Sequence, residues 1–165
     1  MIVLKNILVA TDFSEPSAKA LAYGCDLARS YDAALHVLHV TENIMLRYAP
    51  EVGFAVPEMQ RDLDKAARQQ LNQLISADTV RELRVVPALE SATNAAAAIV
   101  DYAKVQQVDL IVVGTHGRGL MQHLLMGSVA ERVVRTAPCP VLAVRAQERD
   151  FIAPDALTAP VATAR

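Results

Sequence analysis

Four of the six glycines in this chain, Gly114, Gly117, Gly119 and Gly127, fall within fourteen residues. They follow the most apolar run of the sequence, Val108-Asp109-Leu110-Ile111-Val112-Val113, and lead into a segment of helical pattern from about Ser128 to Thr136. Glycine accepts positive φ and lets backbone N–H groups approach an anion closely. A helix beginning near Ser128 adds unpaired N–H groups and a favourable dipole. These properties together suit phosphate binding. The same glycines would equally serve a tight strand-to-helix connection, and residue chemistry alone leaves the two readings balanced.

Two familiar phosphate loops are excluded by spacing. Gly114 and Gly119 stand as in a Walker loop, but Leu120 and Met121 occupy the positions of its Lys and Ser/Thr. The dinucleotide fingerprint fails as well, because Gly117-x-Gly119 is followed by Gln122 where a third small residue belongs. Ser128-Val-Ala-Glu131 also reads as a capping box, in which Ser128 would serve its own helix. Asp12, in the cluster Asp12-Phe13-Ser14-Glu15-Pro16, could bind a ligand or close a turn. His116 has no acidic partner nearby in sequence, which weakens a proton-shuttle role. His36 and His39 are an odd number of residues apart, so on a strand they face opposite sides and share no metal.

The elements that must position these residues alternate between strand and helix. Lys5 to Thr11 is a short apolar strand, its continuity suggesting burial on both faces. Ser14 is placed to cap a helix with Pro16 in its first turn, and Ala18, Leu21, Ala22, Cys25 and Ala28 form its apolar face through about Arg29. Ala34 to Val40 is a second strand, and Glu42 to Pro57 reads as a long loop. Met59, Leu63, Ala66, Ala67, Leu71 and Leu74 mark an amphipathic helix. Leu83 to Leu89 is the third strand and Ala95 to Gln106 the next helix, with Ala96, Ile99, Val100 and Ala103 inward. Val108 to Gly114, the helix from Ser128, and Cys139 to Val144 complete the pattern, which predicts a doubly wound parallel sheet in one domain over residues 1–146. Residues 147–165 lack periodicity and read as a disordered tail.

Composition narrows the function classes. Lys+Arg 16 against Asp+Glu 18 gives a net charge of −2, too balanced to draw polyanions or anionic membranes over the whole surface. No Trp, 3 Phe and 4 Tyr leave few platforms for stacking on nucleic acid. Cys25 and Cys139 form neither a disulfide framework nor a CxxC pair, and Cys25 falls on an apolar stripe. With no apolar run of spanning length, the expectation is a soluble cytoplasmic protein.

Gly114-Thr-His-Gly117, nine further residues and Gly127-Ser128 resemble the Gly-x2-Gly-x9-Gly-Ser/Thr signature of the nucleotide-binding branch of the universal stress protein family. Ile7 to Asp12, Asp109 to Gly117, Gly127 to Val133 and Pro138 to Leu142 resemble other segments of that family in the same order. The resemblance implies an adenine nucleotide alpha hydrolase-like fold of five parallel strands in order 3-2-1-4-5, with Asp12 facing the glycine loop across the switch point. It further implies that Asp12 and the backbone around Ala10 and Val40 contact adenine and ribose, with Gly114 at the ribose and α-phosphate end. Gly117, Arg118, Gly127, Ser128 and Val129 would hold the phosphates, and Thr11, Thr115 and His116 complete the cofactor-binding set. The implied ligand is ATP, with Mg²⁺ or Mn²⁺ held mainly by its phosphates.

The uncharged Val141-Leu142-Ala143-Val144 would be an open edge, which pairing with a second copy would close, and the resemblance implies the same homodimer. No general base or water-positioning group is identified near the loop, so binding is favoured over turnover. The readings carried forward are an ATP-binding stress-response or signalling module, a weak ATP hydrolase using the same site, and an interaction protein binding AMP or another adenylate. An adenylylating enzyme is disfavoured because Thr11-Asp12-Phe13-Ser14-Glu15 lacks the Ser-Gly-Gly-x-Asp-Ser loop that chemistry needs.

Overall fold

The computed structural model describes residues 1–46, 56–75, 77–115 and 126–145. Its elements run β1 (Asn6–Ala10), α1 (Glu15–Tyr31), β2 (Ala34–Glu42), α2 (Val56–Leu74), α3 (Ala77–Glu82), β3 (Val85–Ala92), α4 (Ala95–Val105), β4 (Leu110–Gly114), α5 (Ser128–Thr136) and β5 (Val141–Val144). The five strands form one sheet in the order β3-β2-β1-β4-β5, every neighbouring pair parallel. That is the expected order, with β1 and β4 adjacent at its centre.

Strand alternation divides the interior into two layers. Ile7, Val9, Leu35, Val37 and Val112 pack with Ala20 and Ala28 of α1 and Leu71 of α2. Leu8, Leu38, Ile111 and Val113 pack on the opposite face with Ala96, Ile99 and Ala103 of α4 and Ala130 and Val133 of α5. Such burial on both faces is why β1 and β4 read as continuous apolar runs. The inward residues of α4 are those its spacing predicts, Ala96, Ile99, Val100 and Ala103.

Other expectations are corrected. The buried stripe of α1 is Ser17, Ala20, Gly24 and Ala28, while Ala18 and Ala22 are exposed and Leu21 and Cys25 half-buried. The smallest residues face the sheet because the helix lies close: a Cβ on Gly24 would fall on the Val9 side chain. In α2, Val56, Ala67 and Leu71 are buried, but Met59, Leu63 and Ala66 are exposed. The region from Glu42 to Pro57 is not all loop, since β2 continues through Glu42, Ile44 to Leu46 are helical and α2 begins at Val56. The third strand runs Val85–Ala92 rather than Leu83–Leu89, because Leu83 is a core residue at the end of α3, a helix too short to show a period. The tail expected at 147–165 lies outside the described residues, as do His116, Gly117 and Arg118.

Candidate functional site

The central strands deliver the site. Ala10 pairs with both Leu38 of β2 and Val113 of β4, so β1 and β4 end level with one another. α1 then covers one face of the sheet and α5 the other. Divergence of successive helices from adjacent parallel strands opens a crevice beyond the strands' carboxyl ends, where open α/β sheets take ligands. Gly114 holds the two sides together: a Cβ there would lie 2.8 Å from the Pro16 carbonyl carbon and 3.0 Å from its oxygen. The end of β4 therefore rests against the first turn of α1.

On the β1 side, a cluster of hydrogen bonds fixes the turn. Ser17 Oγ donates to Ser14 O at 2.8 Å and lies 3.0 Å from Thr11 Oγ1, which accepts the Phe13 N–H at 3.1 Å. Ser14 N–H donates to Asp12 Oδ1 at 3.1 Å, and Ser14 Oγ donates to the same oxygen. Ser14 occupies the N-cap of α1 as its sequence predicts, but its hydroxyl serves Asp12 and makes no cap bond. Burial pushes the Asp12 carboxyl up, yet hydrogen bonds from Ser14, joined by those from Ser17 and its own backbone, outweigh it and hold the group below its ordinary value. Asp12 thus both closes the turn and presents an ionised carboxylate at neutral pH.

On the β4 side, Thr115 is buried with its backbone committed, its N–H donating to Val144 O at 2.8 Å and its carbonyl accepting from Gly127 N at 2.6 Å. This pair closes the base of the loop and sets α5 directly after it. Gly127 is the N-cap of α5 with φ −69° and ψ 153°, a conformation open to any residue. Its lack of a side chain is therefore not required by the backbone. The capping-box alternative does not form, because Ser128 is the first helical residue and the cap makes no side-chain bond. Ser128 and Val129 are exposed, and the N–H groups of Ser128, Val129 and Ala130 lack acceptors within the helix. With the Gly127 N–H given to Thr115, those three are the first-turn N–H groups in position to meet an anion.

Ala10 and Val40 lie together on the α4 side, half-buried against the second core layer along with Met126. They give the crevice an apolar wall beside Asp12. Among the described residues no three or more His, Cys, Asp or Glu side chains converge on a metal position. His36 and His39 do face opposite ways: His36 Nδ1 lies 3.0 Å from Tyr102 Oη of α4, and His39 Nδ1 lies 2.7 Å from Thr11 O. Sequence reasoning weighed these histidines only as a metal pair and missed His39 as a neighbour of the site. It missed Phe13 too, which has φ 64° and packs its ring 4.3 Å from that of His39. Nothing in the residue type Phe signals a left-handed backbone.

The comparisons agree with this architecture. A family model described as the universal stress protein family matches residues 4–145. A universal stress protein of Methanocaldococcus jannaschii is 30% identical over 152 residues, covering 88% of this chain and 85% of the relative. Another from Thermus aquaticus is 34% identical over 143 residues, covering 87% of this chain and 100% of the relative. The solved universal stress protein UspA from Lactobacillus plantarum superposes with a TM-score of 0.68 at 26% identity, over 88% of this chain and all of that one. Two solved universal stress proteins, one in complex with cAMP and one from Archaeoglobus fulgidus with dAMP, have TM-scores of 0.61 and 0.55 at 21% and 19% identity. They cover 88% and 87% of this chain and 99% of each of their own, and share its fold.

Proposed function

This chain belongs to the universal stress protein family, and on that premise we propose that it is an adenine-nucleotide-binding module whose nucleotide state acts in stress response or signalling. The observation that carries the reading is the strand order, which sets the Asp12 turn after β1 and the connection to α5 after the neighbouring β4, at the switch point where open α/β sheets take ligands. An ionised carboxylate only accepts hydrogen bonds, which suits ribose hydroxyls or the adenine amino group. The wall of Ala10 and Val40 suits the base, and the first-turn N–H groups of α5 suit phosphates.

ATP is the nucleotide that the Gly114 to Ser128 signature implies; Gly117 and Arg118 of that signature lie outside the described residues. Mg²⁺ or Mn²⁺ would enter with the phosphates, which supply the anionic oxygens that the described residues do not cluster. A second reading, an AMP-type adenylate, is favoured by the cAMP and dAMP held by two proteins of this fold.

A homodimer through β5 accompanies this reading. Both β3 and β5 are sheet edges, but β3 carries Pro87 and the exposed Glu90 and Ser91, which blunt it, whereas Val141–Val144 has no charge or proline. No helix among the described residues is long and apolar enough to cross a membrane, and we assign the protein to the cytoplasm. The test is to denature freshly purified protein and chromatograph what is released. Stoichiometric ATP supports tight binding without rapid turnover, and AMP or another monophosphate supports the second reading. An empty protein that also gives no heat on titration with ATP and Mg²⁺, or with AMP, overturns both.

A further inference from the structure

We propose that His39 is a positioning residue for the nucleoside end of the site, acting through the carbonyl of Thr11; this rests on the nucleotide reading above. The strand β2 presents two consecutive residues to the site from opposite sides. Val40 faces the crevice wall with Ala10, while His39 faces the turn that carries Asp12. A carbonyl only accepts, so the 2.7 Å contact between His39 Nδ1 and Thr11 O fixes the proton on Nδ1.

The turn needs such a brace. Phe13, at φ 64°, occupies a left-handed conformation that non-glycine residues adopt at a cost, and such conformations persist where the surroundings over-determine them. Three contacts do so here. Thr11 Oγ1 accepts the Phe13 N–H at 3.1 Å, the His39 ring packs 4.3 Å from the Phe13 ring at 34°, and His39 Nδ1–H anchors the Thr11 carbonyl. Thr11 itself is joined to β2 by its N–H, which donates to Leu38 O at 2.9 Å. Thr11 is thus clamped by consecutive residues of β2, the backbone of Leu38 and the ring of His39. Asp12 follows immediately, so its direction depends on that clamp. His39 touches no substrate in this scheme; it sets where Asp12 points.

The experiment separates the donor from the ring. His39→Phe keeps an aromatic ring against Phe13 and removes the donor; His39→Asn places an amide N–H close to the position of Nδ1 and removes the ring. Affinity for ATP with Mg²⁺, or for AMP where that is the nucleotide the parent binds, is measured by calorimetry on folded protein of each kind. His39→Phe is expected to weaken binding about tenfold, the scale of one well-placed hydrogen bond, with His39→Asn within about threefold of the parent. Parent-like affinity in His39→Phe, or no recovery in His39→Asn, would overturn the proposal. Should His39→Phe fail to fold, imidazole ¹⁵N shifts of the parent at pH 8 still decide: a protonated Nδ1 is expected, and a proton on Nε2 alone would refute the anchor. Absence of nucleotide binding in the parent would overturn the nucleotide reading and this inference with it. A binding parent with an indifferent His39→Phe overturns the inference alone.

Discussion

Gly114 and Gly127 are both glycines of the loop signature, yet the structure gives them different work, and alanine at each should separate it. At Gly114 the new methyl would meet Pro16 backbone atoms at 2.8 and 3.0 Å and the Pro16 Cβ at 3.0 Å. Backbone held within a helix cannot step aside as a flexible side chain can. Overpacking of this kind costs about 1–3 kcal/mol, offset by about 0.4–1 kcal/mol from the smaller entropy of the unfolded alanine chain. The net expectation for Gly114→Ala is a loss of about 1–2 kcal/mol, a fall in Tm of about 2–8 °C for a chain of this length. Gly127→Ala faces no such conformational demand, since φ −69° and ψ 153° suit alanine. Its stability should stay within about 1 kcal/mol of the parent, the scale of an N-cap change. Binding should show the reverse emphasis, Gly127→Ala losing about tenfold or more in nucleotide affinity because a methyl group meets the phosphate. Urea unfolding followed by circular dichroism gives the first comparison and calorimetric titration the second. Gly114→Ala as stable as the parent would refute the argued contact between β4 and α1, and Gly127→Ala with parent-like affinity would refute its place beside phosphate.

Three further outcomes follow from named contacts. Asp12→Ala should weaken nucleoside-containing ligands more than inorganic tripolyphosphate, measured by competition; equal loss for both would remove Asp12 from the base and ribose end. Burial pushes the His36 imidazole below its ordinary value of 6.5, so the fold favours the neutral ring. Its contribution is full above pH 6.5 and is lost as pH falls through the lowered value, because the unfolded chain takes up the proton first. Urea midpoints at pH 7.5 and pH 5 should therefore differ more in the parent than in His36→Gln, and identical pH dependence would contradict this. Asp109 Oδ2 accepts from Lys5 N at 2.7 Å and Asn6 N at 2.9 Å, holding the start of β1 against β4. Asp109→Ala should cost about 1–2 kcal/mol with Asp109→Asn recovering part, and denaturation of both variants checks it.

Sheet class and central strands were legible because β1 and β4 are buried on both faces, so apolar continuity translates directly into position. The inward face of α4 was legible because Ala96, Ile99, Val100 and Ala103 recur at helical spacing, with the charged Asp101 and Lys104 left outside. Failures occurred where backbone approach, not polarity, decided burial. In α1 the sheet comes so close that Gly24 and Ser17 face inward, and following apolar residues at helical spacing finds Ala28 but otherwise picks a neighbouring stripe. Edge strand β3 is half-exposed along its length, so its register left little trace.

Within the proposed site, the turn at Asp12 and the start of α5 were readable as structure because turn chemistry and glycine spacing are local signals. The anchor at His39 was not, since it joins residues 28 positions apart through a backbone carbonyl. Nor was the committed backbone of Thr115, whose partners lie on β5 and before α5. His116, Gly117 and Arg118 are outside the described residues; the place proposed for Gly117 and Arg118 beside phosphate, and for His116 in the ligand-binding set, rests on the family resemblance.

Amide chemical-shift mapping during titration with ATP and Mg²⁺, or AMP, tests the site most directly. Saturable shifts are expected at Ala10 to Asp12 and Val40, and with ATP at Ser128 to Ala130 as well, with the amides of Lys5 and Asp109 at the opposite end of the sheet unmoved. Shifts confined elsewhere, or none at saturating nucleotide, would contradict a nucleotide site at the β1 and β4 switch point.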